Sequence, residues 1–224
     1  KSFCSTRISY FWYKFSWIKK KGLFLTFEGP EASGKSSQIL LLEKYLKQNH
    51  ISFITTREPG GTKLAESLRE LILKVKSDIK IEEEILMLMA ARSHHINKVI
   101  IPALENNKLV ISDRFADSTF VYQGYVNKYG IQNAKNLHKN ILNNFLPHKT
   151  FLFQLSTKLI ISRLKKRKLK NKYDKLSKKF HDQVNKGYKI IYNKKRFINI
   201  DASKPINQIH KNIISHINTL IWIK

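Results

Sequence analysis

From residue 22 onward the chain alternates short apolar runs with longer segments of helical length. The runs are LFLTFE at 23–28, ISFITT at 51–56, KLVIS at 108–112, TFLFQL at 150–155 and RFINI at 196–200. They are apolar nearly throughout, the pattern of strands buried on both faces. A helical segment between successive strands makes each connection a crossover, which parallel strands require. The pattern predicts an α/β fold with a five-stranded parallel sheet flanked by helices in three layers. No internal repeat and no Pro-, Gly- or Ser-rich linker interrupts residues 22–224, so that stretch reads as one domain.

Residues 1–21 do not share the pattern. They hold six basic residues, no acids and seven aromatics among KSFCSTRISYFWYKFSWIKKK, and they read as an extension outside the fold. A transit segment, a surface that stacks on single-stranded nucleic acid and a membrane-surface segment are other readings of the same composition. One cysteine, Cys4, leaves no internal disulfide framework and points to a reducing compartment, here the cytoplasm. No apolar run approaches the roughly 18 residues that span a bilayer, so no membrane is expected as a partner.

Charge adds a weaker signal. With 42 Lys and Arg against 16 Asp and Glu, the net charge is +26. Residues 163–196 alone carry 15 basic side chains against Asp174 and Asp182. Such a block fits a nucleic-acid backbone, closure over a polyphosphate, or a solvated helix face.

The chemistry-bearing motif follows the first strand: GPEASGKS at 29–36, then the helical QILLLEKYLKQ. This is a P-loop in the strand-to-helix context it needs. Gly29, Pro30, Glu31, Ala32, Ser33, Gly34, Lys35, Ser36 and Ser37 form the loop whose backbone N–H groups, which Pro30 lacks, would wrap around the phosphates of a nucleoside triphosphate at a helix N-terminus. Lys35 would reach the β- and γ-phosphates, and Ser36 would hold Mg²⁺. Asn127 and Lys128 are followed by Tyr129 and Gly130 and so make no NKxD guanine-reading loop, the NKYD at 171–174 falls inside the basic block, and the length is short for a helicase engine, which leaves small-molecule kinases.

Four more segments follow in order: TREPGGT at 56–62 with Arg69 beyond it, LMLMAAR at 86–92, DRFADSTFVYQG at 113–124 and FHDQVNKGYKII at 180–191. Together with the P-loop they resemble bacterial thymidylate kinases, P-loop nucleoside monophosphate kinases, over residues 23 to about 220. The resemblance implies a P-loop kinase fold with a short basic lid at about 163–178, transfer of the ATP γ-phosphoryl group to dTMP, bound Mg²⁺ and a homodimer. By position it implies that Lys35, Asp113, Arg114 and a lid base, Lys172, are catalytic, and that Ser36 and Asp113 serve the metal. It assigns dTMP to Glu31, Arg57, Glu58, Pro59, Arg69, Leu88, Arg92, Arg114, Thr119, Tyr122 and Gln123. Within that set Arg92 would donate to thymine O4, Leu88 would cover the ring, and Tyr122 would sit against C2′ of the sugar. Phe180 and Tyr188 read as packing residues.

Planar arginine forks suit phosphate oxygens better than ammonium groups do, and phosphoryl transfer asks mainly for alignment and charge, so the residue types agree with the implied reaction. The P-loop carries Ala32 instead of an arginine, which assigns the extra charge to the lid. Leu88 stands where the family pattern has Phe, and Val121 where it has Ala. Two other readings stay open at this point: a kinase for dUMP or UMP, and a nucleic-acid-binding protein on a retained P-loop scaffold. No specific nucleic acid is expected as a partner.

Overall fold

The computed structural model describes residues 22–73, 78–166 and 173–222. Five strands form one all-parallel sheet: β1 (Leu23–Glu28), β2 (Phe53–Arg57), β3 (Leu109–Asp113), β4 (Lys149–Gln154) and β5 (Phe197–Asp201), in spatial order β2-β3-β1-β4-β5. Between them run α1 (Lys35–Gln48), α2 (Lys63–Leu73), α3 (Ile81–His95), α4 (Ile101–Glu105), α5 (Ala116–Thr119), α6 (Ile131–Leu142), α7 (Thr157–Lys165), α8 (Lys178–Ile191) and α9 (Ile206–Trp222).

Side chains alternate across the central strand, and that alternation builds two cores. Phe24 joins the cluster that holds Ile85 and Met89 of α3, Phe115, and Val184 and Tyr188 of α8. Leu25 and Phe27 join the other, with Leu42 of α1 and Ile213 of α9. Burying both faces is why the strands lack polar alternation.

β3, β4 and β5 each lie one residue from the apolar run that predicts them, and two features depart further. β2 begins at Phe53, not 51, because the Ile51 N–H is taken by the Leu46 carbonyl at the end of α1. The helix that carries LMLMAAR runs from Ile81 to His95 and then widens into a π-helical turn, Ile96–Ile100, before α4. Pro102 lies just beyond that turn; it has no N–H and would crowd the carbonyl four residues back in a regular α-helix. A second π-helical stretch, Phe120–Val126, continues α5 within the DRFADSTFVYQG motif.

The order β2-β3-β1 on one side and β1-β4-β5 on the other makes β1 and β3 neighbours whose onward connections diverge. Ligands of open α/β sheets bind at the carboxyl ends of such a pair. Glu28 and Asp113 end those two strands.

Candidate active site

After Glu28 the chain turns through Gly29–Gly34 into α1. Gly29 and Gly34 have φ of 136° and 90°, accessible to glycine without steric penalty. Ala32 also lies in the left-handed region, at φ 53°, where its Cβ costs about 1–2 kcal/mol. Lys35 folds its ammonium back over the loop, donating to the carbonyls of Pro30 (2.8 Å) and Gly29 (3.2 Å) and to Ser33 Oγ (3.2 Å). Burial, reinforced by nearby Arg114, lowers its pKa to about 8. Gly29 and Pro30 thus act through their carbonyls behind the loop, while Glu31, Ala32, Ser33, Gly34, Lys35, Ser36 and Ser37 line a cavity of about 820 Å³.

Ser36 Oγ donates to Asp113 Oδ2 at 2.8 Å, which joins the start of α1 to the end of β3. Among the described residues no cluster of three His, Cys, Asp or Glu side chains is assembled for a metal. A hydroxyl and a carboxylate side by side do fit a hard cation that takes its other ligands from phosphates and water, as Mg²⁺ does.

Arg114 follows directly, with φ 71°. Its guanidinium donates to Glu31 Oε1 (2.7 Å), the Gly29 carbonyl (3.0 Å), Ser118 Oγ (3.0 Å) and Tyr188 Oη (3.3 Å), and it lies 5.1 Å above the Tyr122 ring. Burial, the largest single influence, opposes the charge, but Glu31, Tyr122, Tyr188 and Glu28 together outweigh it and hold the Arg114 pKa well above its ordinary value. Beneath it sits a fully buried carboxyl that the sequence reading passed over. Glu28 accepts from Phe115 N–H (2.7 Å), Ser118 Oγ (2.7 Å) and Tyr188 Oη (2.8 Å), and burial followed by neighbouring Asp117 pushes its pKa up. Tyr188 therefore does more than pack: its hydroxyl ties α8 to both Glu28 and Arg114.

Arg92 anchors the far end of the cavity. Its Nε donates to Glu58 Oε2 at 2.6 Å and its Nη2 to Thr119 Oγ1 at 2.8 Å, while Nη1 is buried with no hydrogen-bond partner among the described residues. Glu58 also receives His95 Nδ1 at 2.9 Å. Burial works against the Glu58 charge, yet Arg92 and His95 hold its pKa below the usual value. The sequence reading missed His95. It lies three residues after Arg92 on α3, a spacing that puts both on one helix face.

Arg69 on α2 reaches back to the Pro59 carbonyl at 2.8 Å and lines the cavity; Arg57 does too, paired with Glu66 at 2.9 Å on an exposed edge. Leu88, Thr119, Tyr122 and Gln123 complete the wall near Arg92. Tyr122 meets Tyr173 edge-on at 5.3 Å and Phe180 at 6.0 Å. Lys172 lies outside the described residues with the rest of 167–172; of the segment expected to form the lid, Arg163–Lys165 are the last turn of α7 and Tyr173–Lys175 a short 3₁₀ turn. On the opposite flank the cavity is closed by Ala202, Lys204, Ile206 and Arg163, whose guanidinium donates to the carbonyls of Ala202 (2.9 Å) and Ala32 (3.3 Å). This wall was also missed, although the carboxyl end of the fifth strand was a place to look for it.

With this geometry in view, the chain was compared with known proteins. The family described as Thymidylate kinase matches residues 27–213. A thymidylate kinase of Rickettsia bellii is 40% identical over 205 residues, spanning 90% of this chain and 98% of the relative. One from a Geobacillus species is 37% identical over 194 residues, 84% of this chain and 92% of the relative. The crystal structure of thymidylate kinase from Ehrlichia chaffeensis superposes with a TM-score of 0.70 at 31% identity, covering 88% of this chain and 99% of that one.

Proposed function

This chain belongs to the thymidylate kinase family, and from that premise we propose that it transfers the γ-phosphoryl group of ATP to dTMP, giving dTDP and ADP. The observation that carries the reading is a single cavity with a phosphate-binding loop in its floor and, at the acceptor end, a buried arginine with one unfilled donor. That donor, Arg92 Nη1, has the chemistry to meet thymine O4 once the base excludes water.

The residues divide the work. Lys35 and the loop N–H groups hold the β- and γ-phosphates, and the ammonium charge matters most as negative charge moves onto the leaving oxygen. Arg114 and Arg69 hold the acceptor phosphate with planar forks, and Glu31, paired with Arg114, is within reach of the sugar 3′-hydroxyl. Tyr122, held by its hydrogen bond to Glu31 and its edge contact with Tyr173, would sit against C2′ of the sugar and disfavour a ribose 2′-hydroxyl. Mg²⁺, held by Ser36 and Asp113, would neutralise charge on the phosphate oxygens. We assign the lid at about 163–178 the remaining positive charge, with Lys172 as its carrier, and residues 1–21 a place outside the kinase domain.

The chain would work as a homodimer: Leu64 and Leu71 on α2 and Leu86 on α3 are exposed apolar side chains on neighbouring helices. Its substrates place it in the cytoplasm; no helix among the described residues is long and apolar enough to cross a membrane. Coupled ADP release tests the function. We expect dTMP to be used at least tenfold better than UMP in kcat/KM, about 1.4 kcal/mol of transition-state energy. Equal use of the two would overturn the assignment of Tyr122.

A further inference from the structure

Glu84 lies buried on α3, one turn before Leu88. Its Oε1 accepts from Gln123 Nε2 at 2.6 Å and from Tyr173 Oη at 3.3 Å. Two donors from separate elements thus converge on one carboxylate oxygen beside the acceptor end of the cavity.

The consequence follows from the inventory of each group. A side-chain amide has a donating end and an accepting end, and a carboxylate only accepts. Facing Glu84, Gln123 must turn its NH₂ toward the carboxylate, and the reverse orientation would set oxygen against oxygen. Gln123 lines the cavity; with its Nε2 turned to Glu84, its Oε1, which accepts from no described residue, is the end it offers a ligand. Nearby, Arg92 Nη1 is a donor without a partner. The acceptor end therefore presents one acceptor and one donor.

We propose that Glu84 is a positioning residue for base choice: by locking the Gln123 amide it makes the cavity complementary to a pyrimidine that carries N3–H beside a C4 carbonyl, and hostile to one that carries bare N3 beside a C4 amino group. This rests on the cavity being the monophosphate acceptor site. Thymine and uracil have the first pattern and cytosine the second, so cytosine meets oxygen with a lone pair and guanidinium with an amino group. Sites built on hydrogen bonds discriminate strongly because the wrong ligand leaves buried groups unpaired.

The test compares kcat/KM for dTMP, dUMP and dCMP in the wild-type protein and in Glu84→Gln and Glu84→Asp variants. In the wild type, dUMP should rank between dTMP and dCMP; dCMP used as well as dUMP overturns the proposal without any variant having to fold. Glu84→Gln keeps the size but can donate, which frees Gln123 to turn its NH₂ toward the base. It should shrink the dTMP:dCMP ratio at least tenfold, through the monophosphate KM, with the KM for ATP unchanged. Glu84→Asp remains acceptor-only and should keep the preference. A ratio unmoved in Glu84→Gln, or lowered equally in both variants, rejects the positioning role. If the wild type fails to phosphorylate dTMP at all, it is the kinase assignment itself that falls.

Discussion

Lys35 carries the most testable electrostatics at the residue scale. Its ammonium titrates near pH 8 in the empty site because burial and Arg114 disfavour the charge, and a polyphosphate placed against it supplies the opposite charge and raises that value. Below pH 8 the amine is already protonated, so binding takes up no proton. Above pH 8, up to the value in the complex, binding takes up one, and affinity falls as pH rises through that window. Calorimetry of a non-hydrolysable ATP analogue in buffers of different ionisation enthalpy should register an uptake approaching one proton near pH 9 and close to none near pH 6.5. Lys35→Ala should lower kcat by about a thousandfold, and near-normal turnover would show that the loop is not used as described.

At the scale of elements, α3 and α8 each have a test. Leu88 lines the cavity while Met89, the next residue of α3, is packed into the core around Phe24. Leu88→Phe should lower the KM for dTMP about two- to tenfold, since a stacked ring adds about 0.5–1.5 kcal/mol beyond area burial, and Met89→Phe should bring no such gain. In α8, a Cβ added at Gly187 would stand 2.8 Å from Val121 Cγ1 and 3.1 Å from Tyr125 Cδ1 on the π-helical stretch. Gly187→Ala should therefore destabilise the fold by about 1–3 kcal/mol, seen as a lowered melting temperature, despite alanine's better helix propensity. The same elements show what a sequence can and cannot tell. Strands buried on both faces were legible as apolar runs, and the P-loop as spacing. The π-helical turns were not, since they follow from where Pro102 and the tertiary contacts fall. Nor was Glu28 legible as a buried hub: a carboxylate at a strand end reads as solvent-facing until Phe115, Ser118 and Tyr188 arrive from 87 to 160 positions away.

The whole molecule has a net charge of +26, which will attract any polyanion. If that attraction is unspecific, binding of duplex DNA by residues 22–224 should weaken by roughly a thousandfold between 50 and 200 mM salt. A dissociation constant that barely moves would instead indicate an interface shaped for nucleic acid. The sheet order also has an evolutionary consequence. The side chains facing the acceptor, from Glu58 and Pro59 through Leu88 and Arg92 to Gln123, all come from the stretch that winds onto the β2–β3 flank. The opposite wall, Arg163 with Ala202, Lys204 and Ile206, comes wholly from the chain after β4, which also sends Tyr173 to the acceptor side, while the P-loop with Asp113 and Arg114 at the centre serves both. One contiguous span, residues 53–126, can thus drift toward another acceptor without disturbing the chain after β4, as long as Asp113 and Arg114 within it stay fixed.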